Sequence, residues 1–333
     1  MRDWILRGFV CVCLLGPVSG CQGPDDQNAA GGAAGEKSGT LTIAVIPKGT
    51  THIFWKSVHF GALQAAEEFD AEIEWRGPAR ESDRDEQINV VQGFLNKQVD
   101  GICLAPLDAD ALVRPVAEAG RGNVPVVIFD SGLSDSDSYV SYVATDNFLG
   151  GQMAADTMAT AVGEQGNVVV LRYNKGSEST YQREEGFLEA IAKYPEINVI
   201  SSDQYAGTTT ESAIDKAQQV FNKFGDKING IFAVCEPNAE GVLQTLRDRK
   251  VAGKVSLVAF DSSETLRAGL QDGEVAAIVL QDPVQMGYLS VKTIVEHLRG
   301  EKVDSRVDTG VYVATPENRN DEKISRLLDP EKA

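Results

Sequence analysis

Cysteine and histidine are scarce in this chain, which leaves little material for a metal site or a disulfide framework. The 333 residues include five cysteines and three histidines. Three of the cysteines lie within the first 21 residues, and the other two, Cys103 and Cys235, fall in or beside predicted buried strands far apart in the sequence. No spacing suggests a disulfide, although exported proteins form them. His52, His59 and His297 are too dispersed to bind a metal ion together. We expect neither a metal ion nor a cofactor.

Basic residues are outnumbered, and no basic block occurs anywhere along the chain. Against 49 Asp and Glu residues there are 31 Lys and Arg residues, which gives a formal net charge of −18 at pH 7. A surface of this sign repels nucleic-acid phosphates and anionic lipid head groups. We therefore expect no nucleic-acid partner.

The motifs of several common enzyme classes are missing as well. The sequence contains no Gly-x-Ser-x-Gly elbow, no P-loop, no dinucleotide fingerprint and no His-Glu-x-x-His. One enzyme alternative stays open, because the carboxyl groups of Asp130, Asp261 and Glu236 would suit an acid pair of the kind found in glycosidases.

No apolar run is long enough for a transmembrane helix, but the N-terminus has the pattern of an export signal. Arg2 and Arg7 precede an apolar run at 9–15, which is well short of the roughly 20 residues that a membrane span needs. The small residues Val-Ser-Gly immediately before Cys21 complete a signal peptide over residues 1–20. They resemble a bacterial lipobox, which implies cleavage before Cys21 and acylation of its thiol. The alternative is an ordinary secretory peptide that happens to contain a cysteine.

A tether and two lobes are expected after the signal. Residues 21–39 contain no large apolar side chain, so they predict a flexible segment that holds the rest of the chain away from a membrane surface. The remaining part, roughly 290 residues, exceeds the usual size of a single core, which favours two lobes.

Strands and helices alternate almost without a break from residue 41 onward. A predicted strand at Leu41–Ile46 is followed by apolar residues at helical spacing, and the same scheme starts again at a strand over Asn167–Leu171. Two successive runs of such units predict an α/β fold made of two doubly wound parallel-sheet lobes.

Several of the apolar strands stop at a polar residue that is able to contact a ligand. Asp130, Asp146, Asp261 and Gln281 each follow a run of Val, Ile, Leu, Ala or Phe. Ligands of such sheets bind just beyond the carboxyl ends of the strands, so these side chains predict a binding edge. Capping of the following helix is the alternative for the three aspartates, and it is favoured for Asp146, which precedes a predicted helix at 148–160.

The loop after the first strand joins a glycine turn to a histidine and two aromatic residues. His52 is able to hydrogen-bond hydroxyl groups, and the faces of Phe54 and Trp55 suit the C–H face of a sugar ring. The alternative for Phe54 is core packing, because it also falls on the buried face of the predicted helix.

Seven segments in one order resemble the periplasmic sugar-binding proteins of the ribose-binding type, which serve ABC importers. The segments are LTIAVI, VDGICLAPLDADAL, VPVVIFDS, VATDNFLGGQMAA, REEGF, VSLVAFDSS and AAIVLQDPVQMGY. The resemblance covers residues 41 to about 313. It implies a periplasmic binding protein-like I fold and a monomeric protein. The two lobes of such a protein close over a monosaccharide or polyol by a hinge motion, and the closed form then docks on a membrane permease.

The resemblance also implies where the lobes divide. The chain would cross between them near residues 144–145, near 281–282 and near Thr309. The N-terminal lobe would comprise 40–143 and 282–308, and the C-terminal lobe 144–281 and 309–333.

Ligand-binding residues are carried over from the family position by position. The matched positions are His52, Phe54, Trp55, Asp130, Arg183, Cys235, Asp261 and Gln281. Carboxylates accept hydrogen bonds from sugar hydroxyls, and a guanidinium group donates two parallel hydrogen bonds to ring or hydroxyl oxygens.

Three positions depart from the ribose-binding pattern. His52 replaces an asparagine, Ser131 stands in place of a second arginine, and Cys235, followed by Glu236, replaces an asparagine followed by an acid. Fewer directed donors remain, so another polyol, an amino- or deoxy-sugar or an inositol is as good a candidate as ribose. Lys48 and Trp75 are candidate replacement contacts, and Ser131 and Glu236 are further candidates for ligand contact.

A sensing role is the alternative to import. Related two-lobed receptors present a sugar or a quorum signal to a membrane kinase or a chemoreceptor. A repressor of the same architecture is excluded, because the signal peptide stands where a DNA-binding headpiece would be.

Overall fold

In the computed structural model, residues 39–134 and 138–330 are described, and they alternate strand and helix over nearly their whole length. The strands are β1 (Leu41–Ile46), β2 (Ala71–Trp75), β3 (Gly101–Leu104), β4 (Val126–Phe129), β5 (Ser141–Ala144), β6 (Gly166–Arg172), β7 (Ile197–Tyr205), β8 (Gly230–Ala233), β9 (Ser256–Phe260), β10 (Ala277–Leu280), β11 (Arg306–Asp308) and β12 (Tyr312–Ala314). The helices are α1 (Ile53–Glu68), α2 (Arg84–Lys97), α3 (Val113–Arg121), α4 (Asn147–Ala161), α5 (Glu178–Ile191), α6 (Thr210–Phe224), α7 (Glu236–Asp248), α8 (Glu264–Gln271), α9 (Pro283–Leu298) and α10 (Glu322–Leu328).

The strands form two six-stranded sheets. One has the order β11-β5-β4-β3-β1-β2, and all its pairs are parallel. The other has the order β12-β10-β9-β8-β6-β7, and only its edge strand β12 runs antiparallel. Helices α1, α2, α3 and α9 pack on the first sheet, and the other helices belong to the second. We call the two sheets with their helices the first lobe and the second lobe.

The chain crosses between the lobes three times. It leaves the first sheet after β5, returns after β10 and crosses again after β11. The predicted α/β class with two doubly wound lobes is therefore confirmed, with one correction: the second sheet is not wholly parallel, because β12 pairs antiparallel with β10.

The central strands of each sheet are buried on both faces. Every residue of β3, β4, β8 and β10 is buried, as expected where helices cover both faces of a parallel sheet. Phe129 and Phe260, which end β4 and β9, have no exposed surface. Packing therefore fixes the backbone that carries the next residues, Asp130 and Asp261.

Glycines let α4 and α5 touch at backbone distance. A Cβ atom added at Gly151 would lie 2.1 Å from the carbonyl oxygen of Arg183, and one at Gly186 would lie 2.1 Å from a carbonyl oxygen of α4. Gly61 and Gly287 join α1 to α9 in the same way. The position of α5, and with it that of Arg183, therefore depends on the absence of a side chain at residue 151.

Some elements differ from the sequence-based expectation. A helix is predicted over Asp110–Ala119 from its apolar spacing, but α3 begins only at Val113, because the Asp108 carboxylate accepts the backbone N–H groups of Asp110 and Ala111 and holds a turn there. The strands β11 and β12 and the helix α10 were not predicted. Each of the two strands has only three residues, which is too short for a period-2 pattern to be recognised.

The predicted signal peptide (1–20), Cys21 and the tether up to residue 38 lie outside the described residues. Within residues 39–134 and 138–330, we find no helix with the length and apolar character required to cross a membrane.

Candidate functional site

Loops at the carboxyl ends of strands from both sheets surround a small cavity, in which about 40 Å³ is open to the centre of a water-sized sphere. This is far below the roughly 300–1,000 Å³ of typical small-molecule pockets. All eight residues carried over as ligand contacts line it, as do two of the further candidates. They are His52, Phe54, Trp55, Asp130, Arg183, Cys235, Asp261 and Gln281, with Lys48 and Glu236. Their convergence is an observation, and their role in binding a ligand stays a prediction.

Asp130 forms a buried ion pair with Lys48. The Lys48 Nζ lies 2.9 Å from Asp130 Oδ2, and both side chains are almost fully buried. Lys48 Nζ also donates to Ser179 Oγ at 2.9 Å, a residue of α5 in the second lobe. The cation that neutralises Asp130 therefore comes from the loop after β1 and also contacts the other lobe.

Arg183 holds a second carboxylate in the second lobe. Its Nη1 donates to Asp261 Oδ2 at 3.4 Å and to the carbonyl oxygen of Val234 at 3.0 Å, and its Nε donates to Asn147 Oδ1 at 2.8 Å. The guanidinium carbon lies 3.8 Å from the centre of the Phe260 ring, so stacking adds to the hydrogen bonds. Arg183 thus has one defined orientation.

Asp261 is held by a second side chain as well. Gln281 Nε2 donates to Asp261 Oδ1 at 2.8 Å. Burial raises the pKa of the Asp261 carboxyl group, and Arg183 and the hydrogen bond from Gln281 act against that rise. Cys235 also lines this part of the cavity, and burial raises the pKa of its thiol well above the ordinary value. A neutral thiol is a weak hydrogen-bonding group, in contrast to the asparagine of the family pattern.

Glu81 connects the two lobes across the cavity. Its Oε1 accepts from Trp55 Nε1 at 2.7 Å, and its Oε2 accepts from the hydroxyl group of Tyr173 in the second lobe at 2.7 Å. His52 Nε2 lies 3.6 Å from Glu81 Oε1. Trp55 is therefore oriented by a carboxylate and is almost fully buried, while Phe54 is half-buried at the cavity edge.

Glu236 lies at the start of α7 and has an oxygen without a hydrogen-bond partner. The residue is 8% exposed, and no hydrogen bond is made by Oε2 among the described residues. Burial, together with the negative charges of Glu240 and Asp261, raises the pKa of its carboxyl group to about 8. Gln281 Oε1, also buried, is likewise without a hydrogen-bond partner among the described residues. Two acceptor atoms on residues that line the cavity are thus available to accept hydrogen bonds from a ligand.

Ser131 and Trp75, both candidates for ligand contact, do not line the cavity. The Ser131 hydroxyl is buried and accepts the backbone N–H of Ser179 at 3.1 Å, a hydrogen bond between the two lobes. Trp75 is the last residue of the edge strand β2 and stacks on His59 of α1, with ring centres 4.4 Å apart. Both side chains have structural partners instead of facing the cavity.

Sequence reasoning missed five residues that line the cavity. They are Glu81, Tyr173, Ser179, Thr180 and Pro237. Tyr173 directly follows β6, so the rule that polar residues end buried strands would have found it. Glu81 lies in a charged stretch between β2 and α2, and nothing in that stretch separates it from its neighbours.

Asp146 caps a helix, as the sequence favoured. Its carboxylate accepts the backbone N–H of Leu149 at 2.9 Å at the start of α4. Asp282 does the same for α9 by accepting the N–H of Gln285 at 3.1 Å. Asp261 does not cap the helix that follows, because Ser263 holds that position.

Two parallel-sheet lobes with a charged cavity between them define the class of two-lobed binding proteins. The Periplasmic binding protein domain family matches residues 43–302. The ribose import binding protein of Escherichia coli (strain K12) is 30% identical over 271 residues, which span 80% of this chain and 87% of that protein. The chain belongs to the periplasmic binding protein family, in its ribose-binding type, and it is a binding protein rather than an enzyme.

Solved structures agree with this assignment. An ABC transporter solute binding protein from Agrobacterium vitis, solved with bound D-fucose, is 35% identical with a TM-score of 0.83, and the match covers 86% of this chain and 99% of that chain. A carbohydrate transporter solute binding protein from Agrobacterium radiobacter, solved in complex with D-arabinose, is 32% identical with a TM-score of 0.84, and the match covers 88% and 100%.

Proposed function

We propose that this protein is the substrate-binding lipoprotein of an ABC-type sugar importer and that it captures a monosaccharide or related polyol between its two lobes. The relatives support the ligand class, because one is named as a ribose import binding protein and two were solved with bound D-fucose and D-arabinose. Their role in import favours transport over the sensing alternative.

The chemistry of the cavity supports a polyhydroxylated guest. Asp130 and Asp261 are acceptors from the first and second lobe, and Lys48 and Arg183 are the matching donors. A vicinal diol offers donors and acceptors at once, so it suits such paired groups. Phe54 also lines the cavity, and an aromatic ring suits contact with the C–H bonds of a sugar ring.

Hydrogen bonds across the cavity are the observation that carries the proposal. Lys48 reaches Ser179, and Tyr173 reaches Glu81, so both lobes are joined around the same space. A ligand that contacts both lobes stabilises this closed arrangement over an open one. Capture therefore proceeds by hinge closure, with no covalent step.

The hinge lies at the three crossings. Thr145 Oγ1 and Thr309 Oγ1 are 3.1 Å apart, where two of the crossing segments run side by side. We place the lobe boundaries at 40–143 with 282–308 and at 144–281 with 309–333. Rotation about these segments opens the cavity while each sheet moves as a unit.

The N-terminal segment supports a location in the cell envelope. Signal cleavage before Cys21 and acylation of its thiol would anchor the protein in the cell envelope, facing the periplasm, with residues 22–39 as the tether. The protein would act as a monomer and dock on a membrane permease. Replacing Cys21 by Ser should release the protein from the membrane fraction, whereas Cys11→Ser and Cys13→Ser should leave it membrane-bound because both are removed with the signal.

Thermal unfolding of the purified protein tests the binding proposal. Pentoses, hexoses, polyols and inositols are added one at a time, and the melting temperature of the protein is compared with that of the ligand-free protein. A ligand at about a hundredfold excess over its dissociation constant stabilises the folded state by roughly 2.7 kcal/mol, which is readily detected. An unchanged melting temperature across the whole panel contradicts a sugar-binding role.

A further inference from the structure

Carboxylates outnumber cations around the cavity. Among the described residues that line it, Glu81, Asp130, Glu236 and Asp261 carry carboxyl groups, and Lys48 and Arg183 carry positive charges. A neutral sugar adds nothing to this balance. A positively charged ligand or a bound proton therefore has to compensate the excess negative charge of the carboxylates.

Three of the four carboxyl groups have partners in the protein. Asp130 pairs with Lys48 and Asp261 with Arg183. Glu81 accepts hydrogen bonds on both oxygens and has His52 nearby. Glu236 differs from these three: its carboxyl group accepts the backbone N–H of Phe54, but no ion pair among the described residues includes it and its Oε2 is without a hydrogen-bond partner there.

The position of Glu236 directs it to the ligand space. It is the first residue of α7, and the partial positive charge of a helix N-terminus favours an ionised carboxylate there. The charged groups that act on it are Glu240 on its own helix, Asp261 after β9 and Glu81 from the first lobe, and all of these are acidic. Burial is the main cause of the raised pKa of its carboxyl group, and these three acids add to the rise.

Resting on the proposed function, we propose that the cavity selects a sugar or polyol that carries a protonated amine, and that Glu236 is the residue that binds the ammonium group. An ammonium group has three N–H donors and one positive charge, so it satisfies Glu236 Oε2 and reduces the surplus of acid. Gln281 Oε1 is a second acceptor available on the cavity lining for one of the remaining donors. A hydroxyl group supplies a hydrogen bond but no charge, so the parent sugar leaves the ionised form of Glu236 uncompensated.

Calorimetric titration with matched ligand pairs tests the inference. Each pentose, hexose and inositol is compared with the derivatives in which one ring hydroxyl is replaced by an amine, at mildly acidic pH where the amine is protonated. At least one aminated compound should bind about tenfold or more tightly than its parent. Its binding should also release up to about one proton, detected as a dependence of the binding enthalpy on the buffer, because the ammonium group favours ionised Glu236.

Two variants separate a direct contact from a general effect of charge. Glu236→Gln keeps the shape of the side chain and removes its charge, so it should abolish the preference for the amine over the parent sugar. Glu240→Gln removes a charge one turn further along α7, outside the cavity lining, and should keep the preference.

The outcomes distinguish this inference from the proposed function. If neutral sugars bind and no aminated derivative exceeds its parent, the amine inference is wrong and the sugar-binding role stands. The inference is also wrong if Glu236→Gln weakens both members of a pair equally. If no compound of the panel binds, the proposed function and the inference both fall.

Discussion

Asp130 and Asp261 hold equivalent positions in the two lobes. Each follows the fourth strand of its lobe in chain order and has a left-handed backbone, with φ of 61° and 67°. The N–H of Asp130 donates to Val143 on the next strand, and that of Asp261 donates to Val279 on the corresponding strand of the second lobe. Each carboxylate then meets one cation, Lys48 or Arg183. Each lobe thus contributes the same arrangement to the cavity: an aspartate with a left-handed backbone after the fourth strand, paired with one cation.

The left-handed backbone predicts different effects for two substitutions that both remove the charge of Asp130. Asparagine tolerates this conformation, whereas alanine is disfavoured in it by about 1 kcal/mol. We expect Asp130→Ala to unfold more easily than Asp130→Asn by about that amount in urea denaturation of the ligand-free protein. Equal stability of the two variants would mean that the backbone strain is relieved elsewhere.

The buried pair of Lys48 and Asp130 should show strong coupling. Removing one partner leaves the other charge buried without compensation, which typically costs about 3–5 kcal/mol. Lys48→Met and Asp130→Asn should therefore each destabilise the protein, and the double variant should be clearly less destabilised than the sum of the two. Urea denaturation of the four proteins measures this coupling. Additive effects would show that the two charges do not depend on each other.

The hydrogen bond from Tyr173 to Glu81 should stabilise the closed arrangement. It joins the second lobe to the first, and hydrogen bonds to charged groups contribute about 1.5–3 kcal/mol. Tyr173→Phe should therefore weaken the affinity for the best sugar by about tenfold, because the binding-competent closed state becomes less populated. Titration calorimetry measures the affinity, and small-angle scattering should show a more open ligand-free protein.

Tyr194→Phe is the matched control for this effect. The Tyr194 hydroxyl also donates to a carboxylate, Asp156 at 3.0 Å, but both residues belong to the second lobe. It should leave the affinity and the scattering profile unchanged. A similar loss of affinity in both variants would contradict a role for the Tyr173 contact in closure.

The apolar pattern predicted the two lobes and several of the residues that end strands, although it missed β11, β12 and α10. Buried parallel strands are continuous apolar runs, so their ends are visible in the sequence, and Asp130, Asp261 and Gln281 were found for that reason. The partners of these residues were harder to predict. The contacts of Lys48 with Ser179 and of Glu81 with Tyr173 join residues 131 and 92 positions apart. Such contacts depend on how the two lobes meet, which no local pattern encodes.

Ser131 shows the limit of carrying positions over from a family. The family pattern has an arginine there, and the sequence alone could not tell whether the replacement keeps a contact with the ligand. In the structure its hydroxyl accepts the N–H of Ser179, and Lys48 supplies the cation next to Asp130. The cation beside Asp130 therefore comes from the loop after β1, which becomes visible only when the loops are seen together.

Close packing of α4 and α5 should make Gly151 sensitive to the smallest substitution. An alanine Cβ would lie 2.1 Å from the carbonyl oxygen of Arg183, so the helices would have to separate. Gly151→Ala should destabilise the protein by about 1–3 kcal/mol and weaken sugar binding, because α5 carries Arg183. Gly93→Ala in α2 meets no atom within 4 Å, so it should stabilise the protein by up to about 1 kcal/mol. Urea denaturation and titration calorimetry distinguish the two results, and equal behaviour would contradict the packing argument.

The carboxyl group of Glu236 should make the stability of the ligand-free protein depend on pH. Its pKa is raised to about 8 in the folded protein by burial and by neighbouring acids, against about 4.3 in an unfolded chain. The folded state therefore binds the proton more tightly, and the stability that this provides is complete below the unfolded pKa and is lost as pH rises through the folded pKa. Glu236→Gln removes the ionisation, so its melting temperature should exceed that of the wild type increasingly from about pH 5 to pH 9. Glu67→Gln, at an exposed position on α1, is the control for the same substitution outside the cavity. A parallel pH dependence of the wild type and Glu236→Gln would mean that Glu236 ionises normally in the folded protein, and the surplus of acid around the cavity would then have to be compensated by another group.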